Sequence, residues 1–337
     1  MKMTIKVGIN GLGRIGRMII RAIIEGKNKK IKIQHINNRT DSAQSCNLIK
    51  HDSIHGKFNA DLDFDKKHLI INKNKISFSQ EKKVGDINWK KFNVDYVFEC
   101  TGKFNSKEKL IPHIKNGAKK VIVSAPCKNS DKTIVFGVNE NVITNDDKII
   151  SAASCTTNCL APVVKIINEN FILEKGFMTT IHAFTSDQRI LDNSHKDPRR
   201  ARSASQSIIP TSTGASKAIG EIIPSLKGKL EGVAMRVPIP NVSLIELIFC
   251  TTKDINIKKI NDVFKIASKN QLKEILKITS DKLVSIDFNH NSASAIVDAS
   301  LTSVIGKNMG KVSVWYDNEW GFSNRMCDIA EHLHKIS

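Results

Sequence analysis

Apolar positions in the first forty residues predict a strand, a turn, a helix and a second strand. The apolar run at 4–9 is typical of a buried strand. The helical spacing of apolar residues at 17–26 is typical of an amphipathic helix, and the alternation of apolar and polar residues at 31–37 is typical of another strand. Further buried strands are predicted at 94–100 and 119–126, with a helical stretch between them. Strands that alternate with helices in this order indicate an α/β fold with a parallel, doubly wound sheet.

The pattern changes after about residue 150, where we expect a domain boundary. A helix is predicted at 159–171 and a strand at 176–184, after which residues 185–210 are polar, rich in arginine and without periodicity. A loop of that length inside a compact domain is usually functional, which favours an ordered binding loop over a disordered one. Long alternating runs follow and predict a mainly antiparallel sheet, with a last helix at 323–336.

Composition limits the class of protein without identifying it. The 337 residues, 40% of them hydrophobic, are enough for two domains with their own cores. The chain has 52 Lys and Arg residues and 33 Asp and Glu residues, which gives a net charge of +19. The lysines are spread through almost every segment, and this favours a solvated basic surface over a patch for nucleic acid. Small phosphorylated substrates would be attracted by the same surface.

Neither a membrane span nor a metal site is expected. No stretch approaches the roughly 18 consecutive apolar residues of a span, and the N-terminus lacks a signal-peptide pattern, so we expect a cytoplasmic protein. The seven cysteines are odd in number and form no CxxC pair. That argues against a disulfide framework and against a zinc site.

A glycine pattern marks a candidate nucleotide site. The segment 10–17 places G-x-G-x-x-G directly after the first strand and at the start of the first helix. Gly11 permits the tight turn, Gly13 lets the backbone approach a pyrophosphate, and Gly16 lets the helix lie close to the sheet. The helix N-terminus then faces the phosphates. This context predicts a dinucleotide site, and a glycine turn without a ligand is the alternative.

The end of the second strand bears on which dinucleotide binds. An acidic residue is expected there, because it accepts hydrogen bonds from the adenosine ribose. This chain has Asn38 followed by Arg39. An amide does not repel a 2′-phosphate and Arg39 offers it a partner, so NADP is a candidate cofactor beside NAD. In the alternative, Asn38 binds the ribose of NAD and Arg39 is a solvated charge.

Two residues of the second half suggest covalent chemistry. Cys155 precedes an apolar helix, where backbone N–H groups and the helix dipole favour a thiolate. His182, on a predicted strand, would supply the base that activates the thiol. Each residue alone is more often part of a core. Together with a nicotinamide cofactor, a thiol and a base define aldehyde oxidation through a thioester.

Six motifs in order, from residue 5 to about residue 330, resemble those of the phosphorylating glyceraldehyde-3-phosphate dehydrogenase family. They are INGLGRIGR, SCTTNCLAP, TSTGASKAIG, LKGKLEG, RVPIPNVS and WYDNEWG. The resemblance implies a Rossmann domain formed by 1–154 with 320–337, an α+β catalytic domain at 155–319, and a homotetramer. It also implies conversion of glyceraldehyde 3-phosphate, phosphate and NAD(P)+ to 1,3-bisphosphoglycerate and NAD(P)H.

The resemblance assigns a role to each matching residue. Cys155 is the expected nucleophile and His182 the expected base. The residues expected to hold the substrate's own phosphate are Thr185, Asp187 and Arg236. Those expected to hold the attacking inorganic phosphate are Ser154, Thr156, Thr213 and Gly214. Further cofactor contacts are expected from Arg14, Ile15, Ser124 and Asn318, the last on the nicotinamide carboxamide.

Departures from the family pattern concern the cofactor. Asn38 replaces the usual Asp, and Asn193-Ser194 replaces the Leu-Pro of NAD-specific members, so both favour tolerance of NADP. Two rival functions stay open. One is an erythrose-4-phosphate dehydrogenase, which hydrolyses the thioester. The other, supported by the net charge alone, is a basic nucleic-acid-binding protein.

Overall fold

The chain begins with the predicted βαβ unit. In the computed structural model, which describes residues 4–26 and 30–336, it consists of strand β1 (Ile5–Asn10), helix α1 (Arg14–Glu25) and strand β2 (Ile31–Asn37). The strands β1 and β2 are parallel neighbours. Five of the six residues of β1 are buried, as expected for a parallel strand that is covered on both faces.

This βαβ unit belongs to the first of two compact units, which runs to Phe136 and includes Glu140–Ser154 and the chain from Ser323. Its other elements are α2 (Ser42–Lys50), β3 (His51–Asp52), β4 (Gly56–Lys57), β5 (Leu62–Asp65), β6 (His68–Ile71), β7 (Asn74–Ser79), β8 (Tyr96–Glu99), α3 (Lys107–Lys115), β9 (Lys120–Val123), β10 (Lys132–Thr133) and β11 (Ile149–Ser151). The main sheet has the strand order β10-β11-β9-β8-β1-β2-β7-β6-β5. It is parallel from β10 to β7, and β6 and β5 add an antiparallel edge.

The second unit consists of Gly137–Asn139 and Cys155–Phe322. Its elements are α4 (Cys155–Phe171), β12 (Leu173–Ala183), β13 (Ile209–Ser212), α5 (Ala215–Ile222), β14 (Leu230–Val237), β15 (Ser243–Thr251), α6 (Ile257–Lys269), β16 (Leu276–Thr279), β17 (Ala295–Ile305) and β18 (Met309–Tyr316). They form a sheet in the order β13-β14-β12-β15-β18-β17-β16. The last helix, α7 (Trp320–Ile336), starts in this unit and ends in the first.

The predicted fold class is confirmed: a doubly wound, mainly parallel sheet and a second, mainly antiparallel sheet with helices. The second sheet nevertheless contains two parallel pairs, β12 with β14 and β16 with β17. Residues 185–208 contain neither helix nor strand. This segment is a loop with hydrogen bonds of its own, among them Asn193 N–H to Ala201 O at 2.9 Å and Ala204 N–H to Arg189 O at 2.8 Å.

Candidate active site

Cys155 is the first residue of α4 and its side chain is partly exposed. Its Sγ lies 3.4 Å from Nε2 of His182 on β12. Burial raises the pKa of the Cys155 thiol, while the guanidinium of Arg236 and hydrogen bonds with Thr156 act in the opposite direction. The thiol therefore needs a base to lose its proton, and His182 is in position to accept it.

His182 is 2% exposed and its ring is fixed from the side opposite the thiol. Nδ1 lies 2.6 Å from the carbonyl oxygen of Ala183, and in the tautomer that carries its proton on Nδ1 the lone pair of Nε2 faces Cys155. Burial and the nearby positive charge of Arg236 lower the pKa of His182 to about 3. The imidazole is therefore neutral near pH 7 and has an empty acceptor site for a proton.

Arg236 stands beside His182 because β12 and β14 are parallel neighbours in which these two residues are paired in register. Its Nη1 lies 2.7 Å from Nδ1 of His182 and donates to Ala183 O at 3.0 Å. Its Nε is buried and has no hydrogen-bond partner among the described residues. A buried guanidinium N–H without a partner favours an anionic ligand at this position.

Behind the thiol and the base lies a buried hydroxyl cluster that the sequence does not reveal. The Tyr316 hydroxyl lies 2.9 Å from Oγ1 of Thr156 and 2.9 Å from Oγ1 of Thr180. The Tyr316 ring meets the His182 ring edge-on, with the centroids 5.9 Å apart. Burial raises the pKa of Tyr316, so its hydroxyl stays protonated and available for these bonds. The cluster fixes the plane of the imidazole.

The loop after β12 contributes a second arginine. Asp187 forms an ion pair with Arg200, and Nε of His195 lies 3.5 Å from the same carboxylate. Arg200 also donates from Nε to Oγ1 of Thr211 at 2.9 Å. Arg200 was not among the residues expected from the sequence, although it lies in the arginine-rich segment 185–210 that was predicted to be a binding loop. Asp187 orients Arg200 through this ion pair, and its expected contact with the substrate's phosphate stays a prediction.

Other residues expected to bind phosphate lie at the ends of elements in the second unit. Both the N–H and Oγ1 of Thr185 donate to Oε1 of Gln188, at 2.9 and 3.2 Å. Thr213 and Gly214 immediately precede α5, and Thr213 Oγ1 accepts from Ala215 N–H at 3.2 Å. The Thr156 hydroxyl contacts Tyr316, and Ser154 lies at the end of the segment Glu140–Ser154 of the first unit. The phosphate-binding roles expected for these two residues stay predictions.

In the first unit, the turn between β1 and α1 has the shape that a dinucleotide requires. Gly11 has φ +95°, and a Cβ there would lie 2.9 Å from the backbone N of Thr101. A Cβ on Gly16 would lie 2.0 Å from the carbonyl of Gly11. Neither glycine can carry a side chain in this conformation, because the turn packs against Thr101 and against its own helix.

This turn borders a cavity of about 310 Å³. Of the expected cofactor residues, the cavity is lined by Gly11, Gly13, Asn38 and Arg39. The closely packed glycine turn and the positive side chains that line the cavity fit the adenosine half of a dinucleotide. The residues present therefore fit NAD.

A buried polar network forms the floor of this cavity, and the sequence analysis missed it. Glu99, at the end of β8 and 1% exposed, accepts from Nδ2 of Asn10 at 2.6 Å and from the N–H of Thr101 at 2.8 Å. It also accepts from Nε2 of His113 at 3.1 Å, since Nδ1 of His113 is occupied by the indole N–H of Trp89 at 2.8 Å. Every partner of the Glu99 carboxyl can donate, so its two oxygens act as acceptors for the whole network.

The remaining expected cofactor residues have other neighbours. The guanidinium of Arg14 makes a bidentate ion pair with Asp52, and Ser124 donates from Oγ to Glu99 O at 3.0 Å. Asn318, in the second unit, is buried and accepts from Ser243 Oγ at 2.9 Å. Ile15 lies in the first turn of α1. The cofactor contacts of these residues stay predictions.

Residues 4–26 and 30–336 contain neither a metal-binding cluster nor a membrane-spanning helix. No three histidine, cysteine, aspartate or glutamate side chains within these ranges are grouped so that they could hold a metal ion. No helix within the same ranges has the length and apolar character needed to cross a membrane. The cytoplasmic location stays a prediction.

Comparison with known proteins gives matches along nearly the whole chain. Residues 5–107 match the family model described as glyceraldehyde 3-phosphate dehydrogenase, NAD binding domain, and residues 154–318 match the C-terminal domain of the same family. The chain is 49% identical over 333 residues to the chromosomal glyceraldehyde-3-phosphate dehydrogenase of Cupriavidus necator, covering 98% of this chain and 99% of the relative. Glyceraldehyde-3-phosphate dehydrogenase 2 of Bacillus subtilis is 46% identical, with 98% and 97% covered, and the Geobacillus stearothermophilus enzyme of that name is 46% identical, with 98% of each covered.

Proposed function

Since the chain belongs to the glyceraldehyde 3-phosphate dehydrogenase family, we propose that it converts glyceraldehyde 3-phosphate and inorganic phosphate to 1,3-bisphosphoglycerate through a thioester on Cys155. It is an NAD-dependent oxidoreductase of glycolysis. The observation that carries the proposed mechanism is the 3.4 Å contact between Cys155 Sγ and the free lone pair of His182 Nε2.

The first half of the reaction uses His182 to move a proton. The thiol proton of Cys155 passes to Nε2, the sulfur forms a bond to the aldehyde carbon, and the carbonyl π-electrons move to oxygen. His182 returns the proton to that oxygen, which gives a thiohemiacetal. His182 then takes the hydroxyl proton while the C–H bond breaks, and a thioester remains on Cys155. Bound NAD supplies the acceptor for the hydride that leaves in this step.

In the second half, inorganic phosphate attacks the thioester carbon. The C–S bond breaks, the sulfur takes the proton that His182 holds, and the acyl phosphate is released. The free enzyme is restored with a neutral imidazole and a protonated thiol.

Arg236 links recognition of the substrate to this proton transfer. Its positive charge lies 2.7 Å from His182 Nδ1 and contributes to the low pKa of His182. A substrate phosphate paired with Arg236 offsets that charge, so the base strengthens when a phosphorylated aldehyde is bound. Arg200, oriented by Asp187, provides a second guanidinium, and Thr185, Thr213 and Gly214 provide uncharged donors.

Initial rates with glyceraldehyde 3-phosphate and NAD, measured with and without inorganic phosphate, test this function. We expect reduction of NAD to depend on phosphate, and a product that hydroxylamine traps as an acyl derivative. Sustained turnover without phosphate, with a carboxylate as product, would instead indicate hydrolysis of the thioester, as in the erythrose-4-phosphate alternative. The Cys155→Ser variant is the matched control for both outcomes.

The proposed enzyme is a homotetramer. The loop between β12 and β13 exposes three apolar side chains, Ile190 at 52%, Leu191 at 75% and Ile208 at 68%. Apolar side chains grouped on one loop favour burial against another copy of the chain. Light scattering on the intact protein should give about four times the 37.5 kDa chain mass. A monomeric mass at micromolar concentration would contradict the assembly.

A further inference from the structure

Three buried hydroxyl groups of the second unit meet behind the thiol of Cys155. Thr156 follows Cys155 in the first turn of α4, and Thr180 lies on β12, the strand of His182. The hydroxyl of Tyr316, at the end of β18, lies 2.9 Å from Oγ1 of each threonine. This one hydroxyl therefore joins the helix that carries the nucleophile to the strand that carries the base.

The strand order of the second sheet brings these hydroxyl groups together. Strand β15 lies between β12 and β18, with Ile245 of β15 paired with Thr180 and Ser243 of β15 paired with Tyr316. The Tyr316 side chain therefore reaches past β15 to β12. Thr156 is 5% exposed, and Thr180 and Tyr316 are 1% exposed, so bulk water does not compete for their hydrogen bonds.

The hydrogen bonds of this cluster acquire a direction when the thiol ionises, because each hydroxyl group has a single proton. Burial raises the pKa of the Cys155 thiol, and hydrogen bonds with the side chain and the backbone of Thr156 act in the opposite direction. When the Thr156 hydroxyl donates to the sulfur, its oxygen is left to accept from Tyr316. The Tyr316 oxygen then accepts from Thr180. The three groups, called the hydroxyl chain below, thus donate one after another toward the sulfur.

The charged and titratable side chains around the thiol, among the described residues, come from three strands and from α4 itself. They are His182 of β12, Arg236 of β14, Tyr316 of β18 and Cys159 of α4. His182 is neutral near pH 7, and burial raises the pKa of Cys159 and of Tyr316, so both of these stay protonated. Arg236 stays charged. A change in the reactivity of Cys155 with pH therefore reports the ionisation of its own thiol.

We propose that Tyr316 is a positioning residue of the reaction: held by Thr180, its hydroxyl turns the Thr156 hydroxyl toward the Cys155 sulfur and so stabilises the thiolate. Tyr316 acts through Thr156. Hydroxyl groups that donate in the same direction polarise one another, so the last bond of the chain, to the sulfur, is strengthened by the two before it. The inference rests on the proposed function for the use of the thiolate, whereas ionisation of the thiol can be measured without turnover.

The pH dependence of Cys155 alkylation by iodoacetamide tests the hydroxyl chain, with mass spectrometry following the peptide that contains Cys155. Tyr316→Phe removes one hydroxyl and keeps the ring that packs against His182. We expect the midpoint of the rate curve to rise by about one pH unit, so that alkylation below the midpoint becomes about tenfold slower. Tyr96→Phe is the matched control, since it removes the hydroxyl of a buried tyrosine in the first unit and should leave the midpoint unchanged.

Variants of the two threonines test whether the hydroxyl groups act in series. Thr156→Val breaks the chain next to the sulfur and should raise the midpoint at least as much as Tyr316→Phe, whereas Thr156→Ser keeps the hydroxyl and should match the wild-type protein. Thr180→Val should raise the midpoint when introduced alone and add nothing to Tyr316→Phe, because Thr180 acts only through Tyr316.

An unchanged midpoint in Tyr316→Phe would overturn the proposal, as would an equal rise in Tyr96→Phe or a further rise when Thr180→Val is added to Tyr316→Phe. The circular dichroism spectrum of each variant shows whether it is folded. If Tyr316→Phe does not fold, the comparison of Thr156→Val with Thr156→Ser decides, and equal midpoints in these two variants overturn the proposal.

Steady-state rates separate failure of this proposal from failure of the proposed function. With glyceraldehyde 3-phosphate, phosphate and NAD, the acidic limb of kcat/KM against pH should move upward by about one pH unit in Tyr316→Phe, and a limb that stays in place would overturn the role in the reaction. If the wild-type protein reduces no NAD under these conditions, the proposed function is wrong, and the alkylation curves alone decide whether Tyr316 stabilises the thiolate.

Discussion

Replacement of Glu99 by glutamine tests whether a buried carboxylate supports the cofactor cavity. In the wild-type protein each carboxylate oxygen accepts two hydrogen bonds, Oε2 from Asn10 and His113 and Oε1 from the N–H and hydroxyl of Thr101. Glutamine has the same shape, but one of its two terminal atoms is an NH₂ group. In either orientation of the glutamine amide, its NH₂ group faces two groups that donate to the carboxyl in the wild-type protein, so two of the four hydrogen bonds are lost.

The magnitude follows from those contacts. A hydrogen bond to a charged group contributes about 1.5–3 kcal/mol, so the loss of two corresponds to about 3–6 kcal/mol of unfolding free energy. Urea unfolding followed by the fluorescence of Trp89 gives the value, because Trp89 lies in the first unit and Trp315 and Trp320 lie in the second. Trp89 is also bonded to His113 and so reports on the network itself.

Two comparisons make the Glu99 test decisive. Asp146→Asn removes an exposed carboxylate from the first unit and should leave the unfolding free energy of that unit unchanged. Asn10 and Thr101 line the cavity, so Glu99→Gln should also weaken NAD binding, with kcat at saturating NAD preserved. A loss of unfolding free energy below about 1 kcal/mol would refute a Glu99 carboxyl that accepts four hydrogen bonds.

Four further outcomes are expected. Cys155→Ser should keep NAD binding and lower turnover by orders of magnitude, since a serine hydroxyl ionises far less readily than a thiol; unchanged activity after alkylation of Cys155 would contradict this. His182→Asn should slow alkylation of Cys155 near neutral pH, and equal rates would remove His182 as its base. Arg236→Ala should lower kcat/KM for glyceraldehyde 3-phosphate about 10- to 150-fold and leave kcat/KM for unphosphorylated glyceraldehyde nearly unchanged, as initial-rate assays with each aldehyde would measure. Burial lowers the pKa of His35 to about 4, so the first unit should lose stability as pH falls from about 6.5 to 4, by roughly 3 kcal/mol, and His35→Gln should remove that slope in urea titrations.

Features that depend on local spacing could be predicted from the sequence. The glycine turn and Cys155 at the start of α4 are each defined within about ten residues, and the predicted segment 31–37 coincides with β2. Two helices that the analysis omitted also had local signals. Asp41 caps α2 by accepting from Gln44 N–H, and Asn256 caps α6 by accepting from Lys259 N–H.

Contacts set by strand register could not be predicted in the same way. His182 and Arg236 are 54 residues apart and meet because β12 and β14 run parallel, whereas the alternating runs favoured antiparallel neighbours. Glu99 acquires its role because β8 and β1 pair so that Glu99 lies opposite Asn10. A polar residue that ends an otherwise buried strand is a signal for such networks, but its partners appear only when the strand order is known.

The net charge of +19 illustrates why composition did not identify the anion sites. Arg14 and Arg202 are each paired with an aspartate, Asp52 and Asp192, so a count of cations overstates what they offer to a ligand. Arg236 differs because it is buried beside a neutral imidazole, with a guanidinium N–H that no described residue accepts. Solvent and salt screen exposed lysines, whereas a desolvated and unneutralised guanidinium keeps its attraction for phosphate at physiological ionic strength. The position of unneutralised cations, and not their number, is therefore the feature on which the proposed phosphate site depends.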